Sequence, residues 1–349
     1  MTGLGSLLCA AVLLAAPPKP VAPQGTVTVV AVGHIVMGTD FPANAQALPP
    51  DEGKTLFATT RDVLTGADLA FGNLAAPLSA RGATKKRVDG INSFAFRTPP
   101  EYGQRLKEAG FDVLNAANNH ILDFGMDAYE DTLLNLDKLG IAHTGRKGEA
   151  IFKTVRGITV AFVGFTQPYH DFFESHHDIE AAAAVVKAAK AKAHVVVVGF
   201  HGGTEGKDSL HTPRAAEFLG QEPRGEVVKL SRALVDAGAD LIVGFGPHLP
   251  RAMEFYKGKL IDYSLGNFVT YGPFNLKGAS GLSLILEARF DKDARLVSAK
   301  VHPLIVVKPG IPEPDPKKQT LEHLRGLSKE DFPESYPAIG DDGSVKPRT

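Results

Sequence analysis

Five apolar runs in this sequence end on side chains able to ligate a metal or move a proton. His34 follows the run at 26–32, Asn73 the run at 68–73, Asn118-Asn119-His120 the run at 112–118, His201 the run at 194–200 and His248 the run at 240–245. Neutral imidazole nitrogens and an amide oxygen are borderline donors suited to a single Zn- or Mn-like divalent ion, and His120 is also a candidate acid or electrostatic stabiliser. Each cluster lies beside small or turn-forming residues: Gly33, Gly72, Gly202, Gly203, Gly244, Gly246 and Pro247. Taken singly, a histidine after a strand is ordinarily a loop or capping residue. Ligands of open α/β sheets bind beyond the carboxyl ends of the strands, so five such ends in one chain point to one shared site. No carboxylate directly adjoins any of them. A two-metal hydrolytic centre holds its ions about 3.5–4 Å apart and normally takes an anionic bridge to do so.

Positioning these groups requires strands that alternate with helices, and the pattern provides them. The β-rich runs are separated by helical stretches at 53–66, 100–109, 126–139, 178–193 and 225–237, several closing on glycine (Gly66, Gly110, Gly140, Gly238). Two hairpins interrupt the alternation, at Arg156-Gly157 and Lys257-Gly258. The runs "GLSLILEARF" and "RLVSAKVHPLIVV" complete the sheet content, and Pro309, Pro312, Pro314 and Pro316 then mark a boundary. The expected organisation is an N-terminal segment 1–25, a layered α/β domain 26–307, and a loosely packed Pro/Gly-rich extension 308–349 with one short helix near 319–328.

The segment "LGSLLCAAVLLAAPPKPVAPQG" has the apolar length and small residues of a secretory signal followed by a Pro-rich spacer, though no Lys or Arg precedes it. It is too short to span a bilayer comfortably, so membrane association is expected only through this segment if it stays uncleaved. An exported product cut after it would lose Cys9, the single cysteine, and with it any disulfide or thiolate chemistry. A net charge of -1, with no dominant basic patch, gives no reason to expect nucleic acid as a partner.

"NNHILDFGMDAYEDTLLNLDKLGIAHTG", "HGGTEG", "ALVDAGADLIVG" and "YKGKLIDYSLGNFV", in this order, resemble the bacterial capsule and poly-γ-glutamate synthesis family typified by CapA. The resemblance covers about residues 26–307. It implies a calcineurin-like metallophosphoesterase fold, a four-layer α-β-β-α sandwich. It also implies that Asn119 and His201 coordinate metal, that His120 is an acid or phosphate-binding group, and that His248 is the last histidine of an "HPH"-like motif. Asp123 and Asn267 match family positions as well, with plainer readings beside them: a helix N-cap for Asp123 and a turn-satisfying amide for Asn267.

Departures from the family pattern carry equal information. Where the family opens with Gly-Asp this chain has Gly33-His34, where it has Asn-Leu-Glu the chain has Ala75, and Gly246-Pro247 stand before His248 without the expected second histidine. Exchanging an aspartate for histidine and a glutamate for alanine removes two negative charges from a site meant for two dications, whose repulsion at that distance is many kcal/mol unless anions screen it. A dinuclear centre is therefore not expected. One divalent metal, Zn or Mn, on some of His34, Asn119, His201 and His248 stays open, and His34 is either a replacement ligand or a neutral filler.

Two functions follow. One is a non-catalytic protein of envelope exopolymer synthesis whose cleft holds an anionic polymer or a biosynthetic partner protein. The other is a single-metal hydrolase of a phosphoester, ester or amide in such a polymer, with His120 stabilising the leaving group. Asn73, Asn118, Asn267 and Arg251 are expected to line the site, with Arg251 and Lys207 at its mouth, as ordinary solvated surface or as contacts for an anionic polymer. "KKR" at 85–87 reads as a solvated loop, or as a contact for a polyanion. "HDFFESHHD" at 170–178 reads as an exposed loop with Asp178 as N-cap, or as a segment that returns carboxylates to the cleft.

Overall fold

Side-chain alternation along the first strand sets the layering. In Thr26–Val36, Val27, Val29 and Ala31 face one way while Val30 and Val32 face the other, and all are buried. A strand apolar on both faces must be covered on both. The computed structural model describes residues 25–43, 46–88, 94–206 and 209–348. The N-terminal stretch assigned to export, and Lys207, lie outside the described residues.

Among the described residues a ten-stranded sheet carries Leu69–Leu74, Val113–Asn115 and Ala142–Thr144 in parallel beside the first strand, with Leu282–Asp291 antiparallel on its other side. A six-stranded sheet places Lys259–Asp262, Leu241–Phe245, Val195–His201 and Ile158–Phe165 in parallel between antiparallel edge strands. The two sheets pack face to face: Val27, Val29 and Phe71 of the first share a core with Phe162, Val197 and Val243 of the second. Helices Gly103–Ala109 and Gly125–Leu139 cover the outer face of the larger sheet through Leu106 and Leu136. Ile179–Lys190 and Val227–Asp236 cover the smaller sheet through Val186 and Leu234. This is the four-layer α-β-β-α sandwich.

Both hairpins form at the expected dipeptides, with Arg156 and Gly157 at φ 47° and 80° and Lys257 and Gly258 at 49° and 77°. The stretch expected as a helix over 53–66 is helical only at Arg61–Gly66. Its earlier part is held as turns, where Thr59 Oγ1 donates to Pro312 O at 2.6 Å and Thr60 Oγ1 to Phe57 O at 3.4 Å.

The expectation of a loose C-terminal extension is corrected. Helix Gln319–Asp331 buries Leu321 and Leu324 against the inter-sheet core, and Leu327 and Phe332 reach the helix layer of the smaller sheet. Strand Ser344–Lys346 then pairs with Ala299 and Lys300, extending the larger sheet. The leucines at 321, 324 and 327 give this helix an apolar stripe, which outweighs the surrounding prolines and glycines.

Candidate functional site

Beyond the carboxyl ends of the inner strands the two sheets meet at His34. The pairing of the first strand shifts register on either side of this residue, a bulge that re-aims its side chain, so that His34 stands opposite both Asn73 and Asn267. Gly33 makes the approach possible: a Cβ there would lie 1.9 Å from Gly266 O, and the His34 amide donates to that same oxygen at 3.0 Å. The His34 imidazole is fully buried. Its Nδ1 lies 2.9 Å from the Asn73 amide, and its Nε2 accepts the Gly246 N–H at 3.0 Å. Because Nε2 accepts, the ring proton of this neutral imidazole is on Nδ1, and its one lone pair is used by the Gly246 N–H; the side chain ties the end of one sheet to the end of the other and keeps no lone pair for a metal.

His248 stacks on His34 with ring centroids 4.0 Å apart and 13° between the planes, and His201 stands edge-on to His34 at 5.6 Å. His248 holds a left-handed backbone, φ 60°, a strained conformation for a non-glycine residue. Asn267 accounts for its orientation: the Oδ1 lies 2.9 Å from His248 Nδ1 while Nδ2 donates to Ser280 O at 3.1 Å. Asn267 thus orients a histidine in addition to satisfying the turn. His201 Nδ1 is 3.2 Å from the Gln167 amide, which leaves Nε2 buried without a partner.

All three rings are held neutral. Burial pushes His34 and His201 well below the usual imidazole range; next come His248 for His34 and Arg224 for His201, each repelling a positive ring. Burial lowers His248 too, and the Glu205 carboxylate opposes part of that shift.

The "NNH" turn divides its labour. Asn118 is structural: its Oδ1 accepts from the backbone amides of His120 and Ile121, both at 3.1 Å, and its Nδ2 donates to Leu74 O at 2.8 Å. Asn119 Oδ1 is buried with no partner among the described residues. His120 Nδ1 lies 2.8 Å from Asp123 Oδ2, which also accepts the Phe96 amide, while Asp123 Oδ1 takes Lys86 Nζ. The N-cap position of helix Gly125–Leu139 is Phe124, so Asp123 is no cap; it orients His120.

Several expected placements change. Arg251 is fully buried, paired to Glu217 at 2.9 Å and donating to Ser209 O and Thr204 O, so it pins the loop after His201 and does not face an incoming anion. Loop 170–178 brings no carboxylate to the cleft. Glu174 accepts the Gly148 amide, Asp178 caps helix Ile179–Lys190 through Ala181, and His176 Nε2 supports the His201 carbonyl at 3.0 Å. The "KKR" loop, expected as solvated, delivers Lys86 to Asp123.

The pattern of the family described as "Bacterial capsule synthesis protein PGA_cap" matches residues 28–271. The chain is 31% identical over 253 residues to the PGA biosynthesis protein CapA of Bacillus subtilis, covering 68% of this chain and 62% of that one. It is 31% identical over 260 residues to the capsule biosynthesis protein CapA of Bacillus anthracis, covering 69% and 59%. This chain belongs to the PGA_cap family. It spans about three-fifths of the length of these relatives. A solved structure titled as a novel phosphatase from Mycoplasma pneumoniae superposes with a TM-score of 0.50 at 11% identity, over 86% of this chain and 98% of that one, and speaks for the fold alone.

For two dications, as the metallophosphatase resemblance implies, the residues of this PGA_cap chain do not fit. His34 is used up, and Ala75 sits in an apolar cluster with Val36, Ala76 and Phe96. Gly246, at φ 123°, would carry a Cβ only 2.4 Å from Gly202 O, so no histidine can stand there on this backbone. Among the described residues no group of three His, Cys, Asp or Glu side chains is arranged to hold a metal. Asn119 Oδ1 and His201 Nε2 are buried without hydrogen-bond partners among the described residues and are the site atoms left open to a single ion.

Sequence reasoning missed four contributors. Asn115 joins the buried network by donating to Asn73 Oδ1 at 2.8 Å, and it could have been found as the polar end of its strand. Glu205 lies in the "HGGTEG" loop after His201 and lines a cavity with His120 and His248. Arg224, fully buried, holds Glu205 and donates to Gly203 O at 2.9 Å. For Lys86 the sequence carries no local signal, because only the path of the loop brings it to Asp123.

Proposed function

We propose that this chain is an exported protein serving the synthesis of a bacterial envelope polymer of the capsule or poly-γ-glutamate type, and that its strand-end cleft binds and positions polymer or a biosynthetic partner instead of running two-metal hydrolysis. The observation that carries this reading is the engagement of the one His34 lone pair, on Nε2, by the Gly246 N–H. An imidazole in that role links the sheet ends where an aspartate ligand would otherwise serve a metal. The printed names of the relatives support the polymer, and the acid-free strand ends support binding over hydrolysis.

A second reading, a single-metal hydrolase, draws on the two unsatisfied atoms Asn119 Oδ1 and His201 Nε2. Its metal would be one Zn or Mn ion, supplying an activated water, with His120 held by Asp123 at the leaving group. Elemental analysis after exposure to Mn and Zn, on the full chain and its His201→Ala variant, separates the two. No bound metal in either supports the binding protein. About one equivalent, lost in the variant, supports the hydrolase. About two equivalents would overturn both.

A further inference from the structure

Over the cleft lies a cavity of about 490 Å³, within the roughly 300–1,000 Å³ span of small-ligand pockets. Its wall is aromatic. Phe96 stacks on Phe274 with centroids 5.1 Å apart and on Phe94 at 5.9 Å, with 22° and 10° between the planes. This row packs against Ala75, the position where the family pattern carries glutamate. The polar groups facing these rings are His120, His248, Glu205 and Asn275.

Their hydrogen-bonding character follows from what holds them. His120 turns Nδ1 to the Asp123 carboxylate and His248 turns Nδ1 to Asn267 Oδ1, so both carry the ring proton there and offer Nε2 as an acceptor. Glu205 Oε1 takes Arg224, which leaves Oε2 as a third acceptor. Asn275 Oδ1 accepts the Lys277 amide at 3.1 Å, leaving its NH₂ as a donor. Two cations meet three carboxylates, so no positive charge is left over. Arg224 is consumed by Glu205, Glu222 and the Gly203 carbonyl, and Lys86 by Asp123. A polycarboxylate or a phosphate would meet acceptors and ring faces here, with both neighbouring cations already neutralised.

We infer that this cavity takes an uncharged saccharide, one ring lying with its C–H face on Phe274, which Phe96 backs, and its hydroxyls donating to His120 Nε2, His248 Nε2 and Glu205. Such a ring supplies what the pocket lacks: several donors that also accept, on a flat apolar body matched to the negative face of the phenyl rings. The inference rests on the cleft being a binding site and narrows the polymer it handles to one with neutral sugar units.

Saturation-transfer NMR on the full chain tests it, with chitotriose and maltotriose as neutral probes and a γ-glutamate oligomer as the charged one. Transfer to ring C–H protons of a neutral trisaccharide is expected, and Phe274→Ala and Asn275→Ala, at half-exposed and exposed positions, should each weaken binding by about tenfold with unchanged unfolding temperature. Three outcomes would overturn the inference: no transfer to either trisaccharide, binding unaffected by Phe274→Ala, or transfer to the γ-glutamate oligomer alone. A metal content of two equivalents would instead sink the binding-protein reading itself, whatever the sugar result.

Discussion

The imidazole of His34 lies flat on that of His248, 4.0 Å between centroids, in a pocket that also holds His201. Stacked rings at this distance are compatible only when at most one is charged, and the Gly246 N–H directed at His34 Nε2 requires that nitrogen to be unprotonated. The site is built for neutral histidines.

Acid should therefore unfold the protein. Burial lowers His34, His201 and His248 and brings His176, beneath the His201 carbonyl, down to about 3. A base whose folded value is depressed binds fewer protons folded than unfolded, so stability is present above the unfolded value near 6.5 and is lost as pH falls toward the folded one. His176 alone should cost about 2 kcal/mol by pH 5, and the other lowered rings act in the same direction. Urea unfolding at pH 7 and pH 5 should show the loss, and His176→Gln should reduce it. Equal stability at both pH values would mean these rings are charged or exposed.

Removing the tie tests its structural role. His34→Ala leaves the Gly246 N–H and the Asn73 amide buried without this partner and opens a cavity between the sheet ends, for an expected loss of about 2–4 kcal/mol in urea unfolding. A loss under about 1 kcal/mol would show that the neighbouring asparagine network holds the sheets without it.

Much of this was legible in the sequence, because strands announce themselves by alternating valines and their ends by polar residues beside glycine. The register of the site was not. His34 and Gly246 are 212 positions apart and belong to different sheets, so neither strand's pattern states that one ring nitrogen meets the other's amide. Asp123 read equally well as a cap until the helix began two residues later, at Gly125. The C-terminal helix was legible near 319–328 but its packing was not: its leucines at 321, 324 and 327 are a sparse stripe among prolines and charges, and their worth depends on a sheet face supplied by the rest of the chain.

Gly246 should resist reversion to a ligand. At φ 123° with Gly202 O waiting 2.4 Å from any Cβ, Gly246→Ala is expected to cost about 2 kcal/mol or more, and Gly246→His to cost more and gain no metal. Unfolding midpoints with parallel metal analysis decide this. A stable Gly246→His variant that takes up an additional equivalent of Mn would show that the loop can rebuild a centre.

Asp262 supplies an opposite pH dependence, away from the cleft. Its Oδ1 accepts the Ser264 amide at 3.0 Å, but its Oδ2 is buried with no partner among the described residues, and burial raises the carboxyl from 3.8 to about 8. The folded state therefore keeps a proton that the unfolded chain has released. Stability from this group is complete below about 3.8 and is lost as pH rises toward 8, amounting to about 4 kcal/mol by pH 7. Asp262→Asn keeps the acceptor for Ser264 and cannot ionise. The variant should gain a few kcal/mol over the parent at pH 8 and little at pH 4, read as the urea midpoint at each. Because the histidines lose stability below 6.5 while Asp262 loses it above 3.8, the parent should show a shallow maximum that the variant shifts to higher pH. An equal loss at both pH values would instead mean that Asp262 is ionised in the fold and that its second oxygen has a partner worth keeping.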